Sequence, residues 1–170
     1  MKVIPLTLDY ELTDFDCGDS DLNDFLREDA KHFLEKHIAN TFILEDEGRI
    51  AAYFCLLNDK VSRLEVTNSQ WKRVKDSFPD GKQFRSYPAI KIGRFAVSVA
   101  YRGQGIGSEL MSGIKYLLNT EHGRSAFRFL TVDAYLSAID FYRKNGFKEL
   151  TQKEEGEQTR LMFFDMMDVE

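Results

Sequence analysis

Cysteine, histidine and proline are scarce in this chain. Of 170 residues, two are Cys, three are His and three are Pro. Cys17 and Cys55 stand far apart with no His cluster near them, which argues against a zinc site. With no secretory context, two cysteines read as free thiols rather than a disulfide. The opening residues, MKVIPLTLDY, lack the apolar core of a signal peptide, and no apolar run approaches the length needed to span a membrane. The expectation is a cytoplasmic protein without a membrane partner. Positive charge is also short: 23 Lys and Arg stand against 28 Asp and Glu, a net charge of -5. That balance weighs against a broadly basic nucleic-acid binder. What remains is 43% apolar and 13% aromatic, the composition of one globular domain spanning residues 1–170.

One stretch organises the rest. Residues 91–108 read KIGRFAVSVAYRGQGIGS. A strand pattern from Lys91 to Val99 runs into the turn Arg102-Gly103-Gln104-Gly105-Ile106-Gly107, and an apolar stripe at helical period follows through Ile106, Leu110, Met111, Ile114, Leu117 and Leu118. Strand, glycine turn and helix start together form an anion cradle. Glycine lets backbone approach a phosphate, and the first N–H groups of a helix have no intrahelical acceptor. A Rossmann loop needs glycine at the sixth position, where this chain has Ser108, and a P-loop needs Gly-Lys-Ser/Thr, which is absent.

Elsewhere the pattern gives a mixed α/β order. Val3 to Leu8, containing Pro5, reads as an edge strand. Phe15-Asp16-Cys17-Gly18 is a turn, and Asp19, Ser20 or Asp21 caps one helix carrying Leu22, Phe25, Leu26, Ala30, Phe33 and Leu34. Ala39 to Leu44 and Ile50 to Leu57 form a hairpin about a turn containing Gly48. Lys60 to Tyr87 is irregular, with Trp71 and Val74 on one side of a short helix and a turn at Phe78-Pro79-Asp80-Gly81. This segment holds Lys72, Arg73, Lys75, Lys82 and Arg85, either a solvated face or a basic lip for an acidic or phosphorylated substrate. Gly123 suits a helix end. Phe127 to Val132 reads as a strand, Ala134 to Asn145 as a helix ended by Asn145-Gly146-Phe147, and Phe147 to Leu150 with Arg160 to Met167 as a closing hairpin through Gly156. The class is α/β of the α+β type.

The loop R-x-x-G-x-G, with Ile106 opening an amphipathic helix, resembles the coenzyme A pyrophosphate loop of the GNAT acetyltransferase superfamily. So does the segment Phe95 to Gly103. A second motif of that superfamily, A-x-x-F-Y-x-K-x-G-F, is matched in full from Ala138 to Phe147. The resemblance implies a GNAT fold, a mixed central sheet of about six to seven strands with flanking helices. It also implies acetyl-CoA as co-substrate without a metal. The coenzyme would be held by Phe95, Ala96, Val97, Arg102, Gly103, Gln104, Gly105, Ile106, Gly107, Ser108 and Ala138. Tyr142 would be the general acid for the departing thiolate, since a phenol with a pKa near ~10 is protonated at neutral pH. No carboxylate lies on the strand that offers Lys91 and Arg94. A water relay, or an amine that arrives neutral, replaces the glutamate base of some members; Asp133 is either a base or a structural cap. Many members carry Asn where this chain has Tyr135.

Phe15-Asp16-Cys17-Gly18, Leu22-Asn23, Asn40-Thr41-Phe42, Gly93-Arg94-Phe95 and Val132-Asp133-Ala134 resemble the branch containing aminoacyl-tRNA acetylating toxins. The charge balance and the 60–87 insertion depart from a basic tRNA binder. The first expectation is therefore acetylation of a small-molecule or peptide amine. The second is a toxin acting on aminoacyl-tRNA, with tRNA and an antitoxin as partners. A non-catalytic acyl-CoA-sensing module is the third.

Overall fold

A computed structural model describes residues 1–75, 84–120, 125–151 and 158–169. Their contacts group into two compact units, Met1–Leu57 with Ile92–Gly113, and Asn58–Lys91 with Ile114–Glu170. Among the described residues seven strands form one mixed sheet: β1 (Lys2–Pro5), β2 (Asn40–Asp46), β3 (Arg49–Ser62), β4 (Ser86–Val97), β5 (Phe129–Tyr135), β6 (Lys148–Glu149) and β7 (Thr159–Asp165). The order is β1-β2-β3-β4-β5-β7-β6. The ladders β1/β2, β2/β3, β5/β7 and β6/β7 are antiparallel. Between β4 and β5, Arg128 N donates to the Pro88 carbonyl at 2.9 Å, and further along Thr131 Oγ1 meets the Ile90 carbonyl at 3.4 Å. Both numbers rise together, so these neighbours run parallel, joined by the long crossover that a parallel pair requires.

In the first unit, β1 with Pro5 lies at the sheet edge, where a missing N–H does no harm. The strand ends at Pro5, short of Leu8. Asp19 caps α1 (Ser20–Asp24), its side chain accepting from Leu22 N at 3.1 Å. The single helix expected there is instead α1, a π turn over Phe25–Asp29, and α2 (Ala30–Glu35). The wider turn brings Phe25, Leu26 and Ala30 all into the core. Phe25 then stacks on Tyr53 at 6.1 Å and meets Phe33 edge-on at 5.4 Å, and Tyr53 donates its hydroxyl to the Leu22 carbonyl at 2.6 Å.

In the second unit, β3 continues to Ser62, five residues beyond the expected Leu57, burying Val61 and Ser62. α3 (Asn68–Lys75) opens with a reciprocal cap: Thr67 N donates to Gln70 Oε1 at 2.6 Å, and Gln70 N to Thr67 Oγ1 at 3.4 Å. Trp71 and Val74 are buried as their spacing predicts, and Trp71 stacks on Tyr87 at 5.7 Å. β5 extends to Tyr135, opposite Thr159 of β7. That pairing delays the next helix to a short 3-10 turn, Leu136–Ala138, and α5 (Ile139–Lys144). The expected turn at Phe78 to Gly81, the helix end at Gly123 and the turn through Gly156 lie outside the described residues. So does Lys82 of the basic segment.

Candidate functional site

The glycine loop stands in the first unit, between the end of β4 and α4 (Ile106–Thr120). Gly103 and Gly105 take φ of +75° and +81°, a region that L side chains rarely enter. A Cβ at either would meet nothing within 4 Å, so glycine is needed here for backbone conformation rather than for room. The Gly105 carbonyl accepts from Ser108 N at 3.0 Å and Glu109 N at 3.1 Å, which starts the helix. By helix geometry the N–H groups of Ile106 and Gly107 have no intrahelical acceptor and carry the positive end of the helix dipole. Gln104 ties the loop down, its Nε2 donating to the Ala100 carbonyl at 3.1 Å.

Arg102 reaches away from the loop. Its guanidinium donates to the Cys17 carbonyl, and Val99 N donates to the Asp16 carbonyl at 2.9 Å. The Asp16 carboxylate folds its own turn by accepting from Gly18 N at 2.7 Å and Asn23 Nδ2 at 2.9 Å; those bonds, the Gly18 one foremost, hold its pKa below the usual value. The motif residues Asp16, Cys17, Gly18 and Asn23 thus form a buttress under the loop entry. In the sequence these residues stand out only by their resemblance to one branch of the superfamily, and nothing in their spacing marks this role. A cleft of about 540 Å³ beside the buttress is lined by Leu12, Phe15, Asn23, Leu26, Arg27 and Ser98.

Phe95, Ala96 and Val97 end β4, with Ala96 buried and its neighbours half-buried. Earlier on the strand, a Cβ on Gly93 would lie 2.7 Å from Leu57 Cδ2 and 3.0 Å from Cys55 Sγ, so this position admits only glycine without a shift. Arg94 lies 5.1 Å over the Phe25 ring, with its Nη2 3.8 Å from Asp21.

The second unit holds Tyr142. Tyr142 lies on α5, 6% exposed, one turn on from Ala138, the half-buried residue that precedes the helix. Its ring packs edge-on against Phe141 at 5.2 Å and Phe147 at 5.4 Å. Burial alone pushes its hydroxyl pKa well above the ordinary tyrosine range. The helix ends as the sequence predicts. Gly146, at φ +81°, lets Phe147 N reach the Tyr142 carbonyl and Gly146 N the Arg143 carbonyl, both at 3.0 Å.

In the same unit a charged cluster crosses three strands. Lys91 Nζ on β4 donates to Asp133 Oδ2 on β5 at 2.8 Å and stands 3.6 Å from Asp59 Oδ2 on β3. Thr131, fully buried, donates to Asp59 at 2.5 Å. Burial works to lower the Lys91 pKa, but the two carboxylates outweigh it and leave it raised. Lys91 is therefore a fixed cation and no base. Asp59 falls between the expected strand end at Leu57 and the irregular segment from Lys60, and nothing local in the sequence marks it. Cys17 and Cys55 are free and buried, and burial raises both thiol pKa values, that of Cys55 to about 11. Among the described residues no group of His, Cys, Asp and Glu could hold a metal, and no helix is long and apolar enough to cross a membrane.

A family model described as an acetyltransferase (GNAT) domain matches residues 37–149. A tRNA-acetylating toxin of Mycobacterium tuberculosis (strain ATCC 25618 / H37Rv) is 28% identical over 104 residues, 59% of this chain and 55% of that protein. The chain thus matches about half the length of that curated relative. Among solved structures, AtaT complexed with acetyl-methionyl-tRNAfMet superposes with a TM-score of 0.79 at 25% identity, covering 99% of this chain and 96% of that one. The crystal structure of a bacterial toxin gives 0.83 at 18% identity, over 99% and 92%; at that identity the likeness speaks for the fold alone.

Proposed function

The chain belongs to the acetyltransferase (GNAT) family, and on that premise we propose that it is a single N-acetyltransferase domain moving the acetyl group of acetyl-CoA to the α-amine of an aminoacyl-tRNA. The acceptor choice rests on one observation: the match to AtaT, a toxin solved with an acetylated aminoacyl-tRNA, over 99% of this chain. In this reading tRNA and an antitoxin protein are partners and the site of action is the cytoplasm.

The residues divide the work as follows. The loop from Arg102 to Ser108 holds the pyrophosphate of the co-substrate through backbone N–H groups and the start of α4. Backbone of Phe95, Ala96 and Val97 lies along the pantetheine arm and polarises the thioester carbonyl. Ala138 at the head of α5 gives the arm room. The acceptor nitrogen forms the new C–N bond as a neutral amine and loses one proton to solvent. The C–S bond then breaks, Tyr142 gives its proton to the departing sulfur, and solvent restores it. Lys91, bonded to Asp133, takes no proton. An α-amine made less basic by its ester suits a site without a base.

Acetylation of a small-molecule or peptide amine is the second reading, favoured by the net charge of -5. Incubation of the protein with acetyl-CoA and either charged tRNA or an amine library separates the two, with thiol release and mass of the product as readouts. The expected product is N-acetyl-aminoacyl-tRNA. Acetylated small amines with untouched charged tRNA would replace the first reading by the second. Binding of acetyl-CoA without any thiol release would leave only a sensing module.

A further inference from the structure

We propose that Lys115 is a positioning residue for the reaction: its ammonium clamps the C-terminal end of α5 and so fixes the ring of Tyr142. The inference rests on the reading of Tyr142 as the group that protonates sulfur. Lys115 lies on α4, half-buried, and donates to the carbonyl of Asn145, the residue that ends α5. Its Nζ also stands 3.9 Å above the Phe164 ring and 5.4 Å from the Phe147 ring. No carboxylate pairs with it among the described residues, and burial drives its pKa down.

An ammonium in such a place is costly, and a Met or Leu would fill the same space without that cost. What only the cation supplies is a directional bond to a helix-end carbonyl, where the dipole is negative, together with attraction to two ring faces. Both lead to Tyr142. The Tyr142 carbonyl is the acceptor that closes the helix end, taking Phe147 N at 3.0 Å. The Phe147 ring neighbours both, 5.4 Å from the ammonium and 5.4 Å from the Tyr142 ring centroid at 72°. Gly146, which allows the closure, is itself hemmed in: a Cβ there would lie 3.0 Å from Phe164 Cε2 and 3.8 Å from Lys115 Nζ. One lysine therefore bonds the Asn145 carbonyl and faces the Phe164 and Phe147 rings, beside the turn that fixes the end of the helix carrying Tyr142.

The test is a double-mutant cycle on thiol release from acetyl-CoA. The acceptor is charged tRNA or, failing that, the best amine of the screen. Lys115→Met is expected to lower kcat about 10-fold with KM for acetyl-CoA within about 2-fold, and Lys115→Arg to recover most of the loss. In a Tyr142→Phe background, Lys115→Met is expected to cost less than about 2-fold, because the group it positions is already gone. If Lys115→Met does not fold, Lys115→Gln takes its place in the cycle. An equal loss in both backgrounds, or an unchanged kcat in the single variant, would overturn the inference and leave Lys115 a structural cap. A Tyr142→Phe enzyme with full turnover would overturn the reading of Tyr142, and this inference with it.

Discussion

At Tyr142 a single hydroxyl is asked to donate a proton, and its surroundings decide whether it can. Desolvation with no compensating charge keeps the phenol protonated far above neutral pH. The donor is thus always loaded, and it gives up its proton only as negative charge develops on sulfur. Tyr142→Phe is expected to lower kcat by about 10- to 10³-fold with KM for acetyl-CoA nearly unchanged. Steady-state thiol release checks this, and an unchanged kcat would remove the residue from the chemistry. The direction of the shift adds a pH signature. Ionisation of Tyr142 ends activity only above its raised pKa, so it causes no fall in rate between about pH 8 and 10. The acid limb follows the acceptor's own amine, since Lys91 stays protonated between Asp133 and Asp59.

At the scale of elements, the glycine loop owes its shape to two positive φ values. Gly105→Ala brings no clash, because nothing lies within 4 Å of the new Cβ, so its cost is conformational, about 1–2 kcal/mol. Relief of that strain rotates the very N–H groups that start α4. The expected outcome is a several-fold rise in KM for acetyl-CoA with kcat at saturation preserved; unaltered KM would deny the loop its phosphate role. This strand, loop and helix were legible in the sequence because each signal is local: alternation, then glycine, then a 3.6 period. The end of α5 was legible for the same reason, since Asn145-Gly146-Phe147 carries its own closure. The π turn at Phe25–Asp29 was not, because one extra residue in a turn barely disturbs an apolar stripe. Nor was the second half of β3. Asn58, Asp59 and Lys60 look like a loop until Thr131, 72 residues later in sequence, arrives to bond Asp59. The buttress of Arg102 on the Cys17 carbonyl likewise joins residues 85 apart, and no spacing rule encodes it.

At the scale of the molecule, titration and charge each have a consequence. The buried thiol of Cys55 ionises near 11 in the folded chain and near its ordinary value of 9.0 when unfolded. The raised folded pKa makes its contribution to stability complete below about pH 9 and progressively lost as pH climbs through about 11, on the order of 2–3 kcal/mol. Cys17, Tyr53 and Lys91 shift upward and act in the same sense; Lys115, shifted down, opposes them. Urea midpoints are therefore expected to fall from pH 9 to 11, less steeply in Cys55→Ala than in the parent. The net charge of -5 bears on the acceptor. A chain repelled overall by phosphates binds tRNA only if its cations are gathered, and α3 offers Lys72, exposed, and Lys75, half-exposed. Each phosphate contact releases counterions, so KM for charged tRNA is expected to rise steeply with salt. Lys72→Gln with Lys75→Gln is expected to raise that KM and flatten the salt slope by about one to two units, with KM for acetyl-CoA unmoved. A salt slope identical in the double variant would show that α3 does not carry the tRNA, and would return the acceptor to the small or peptide amines that the acidic balance favours.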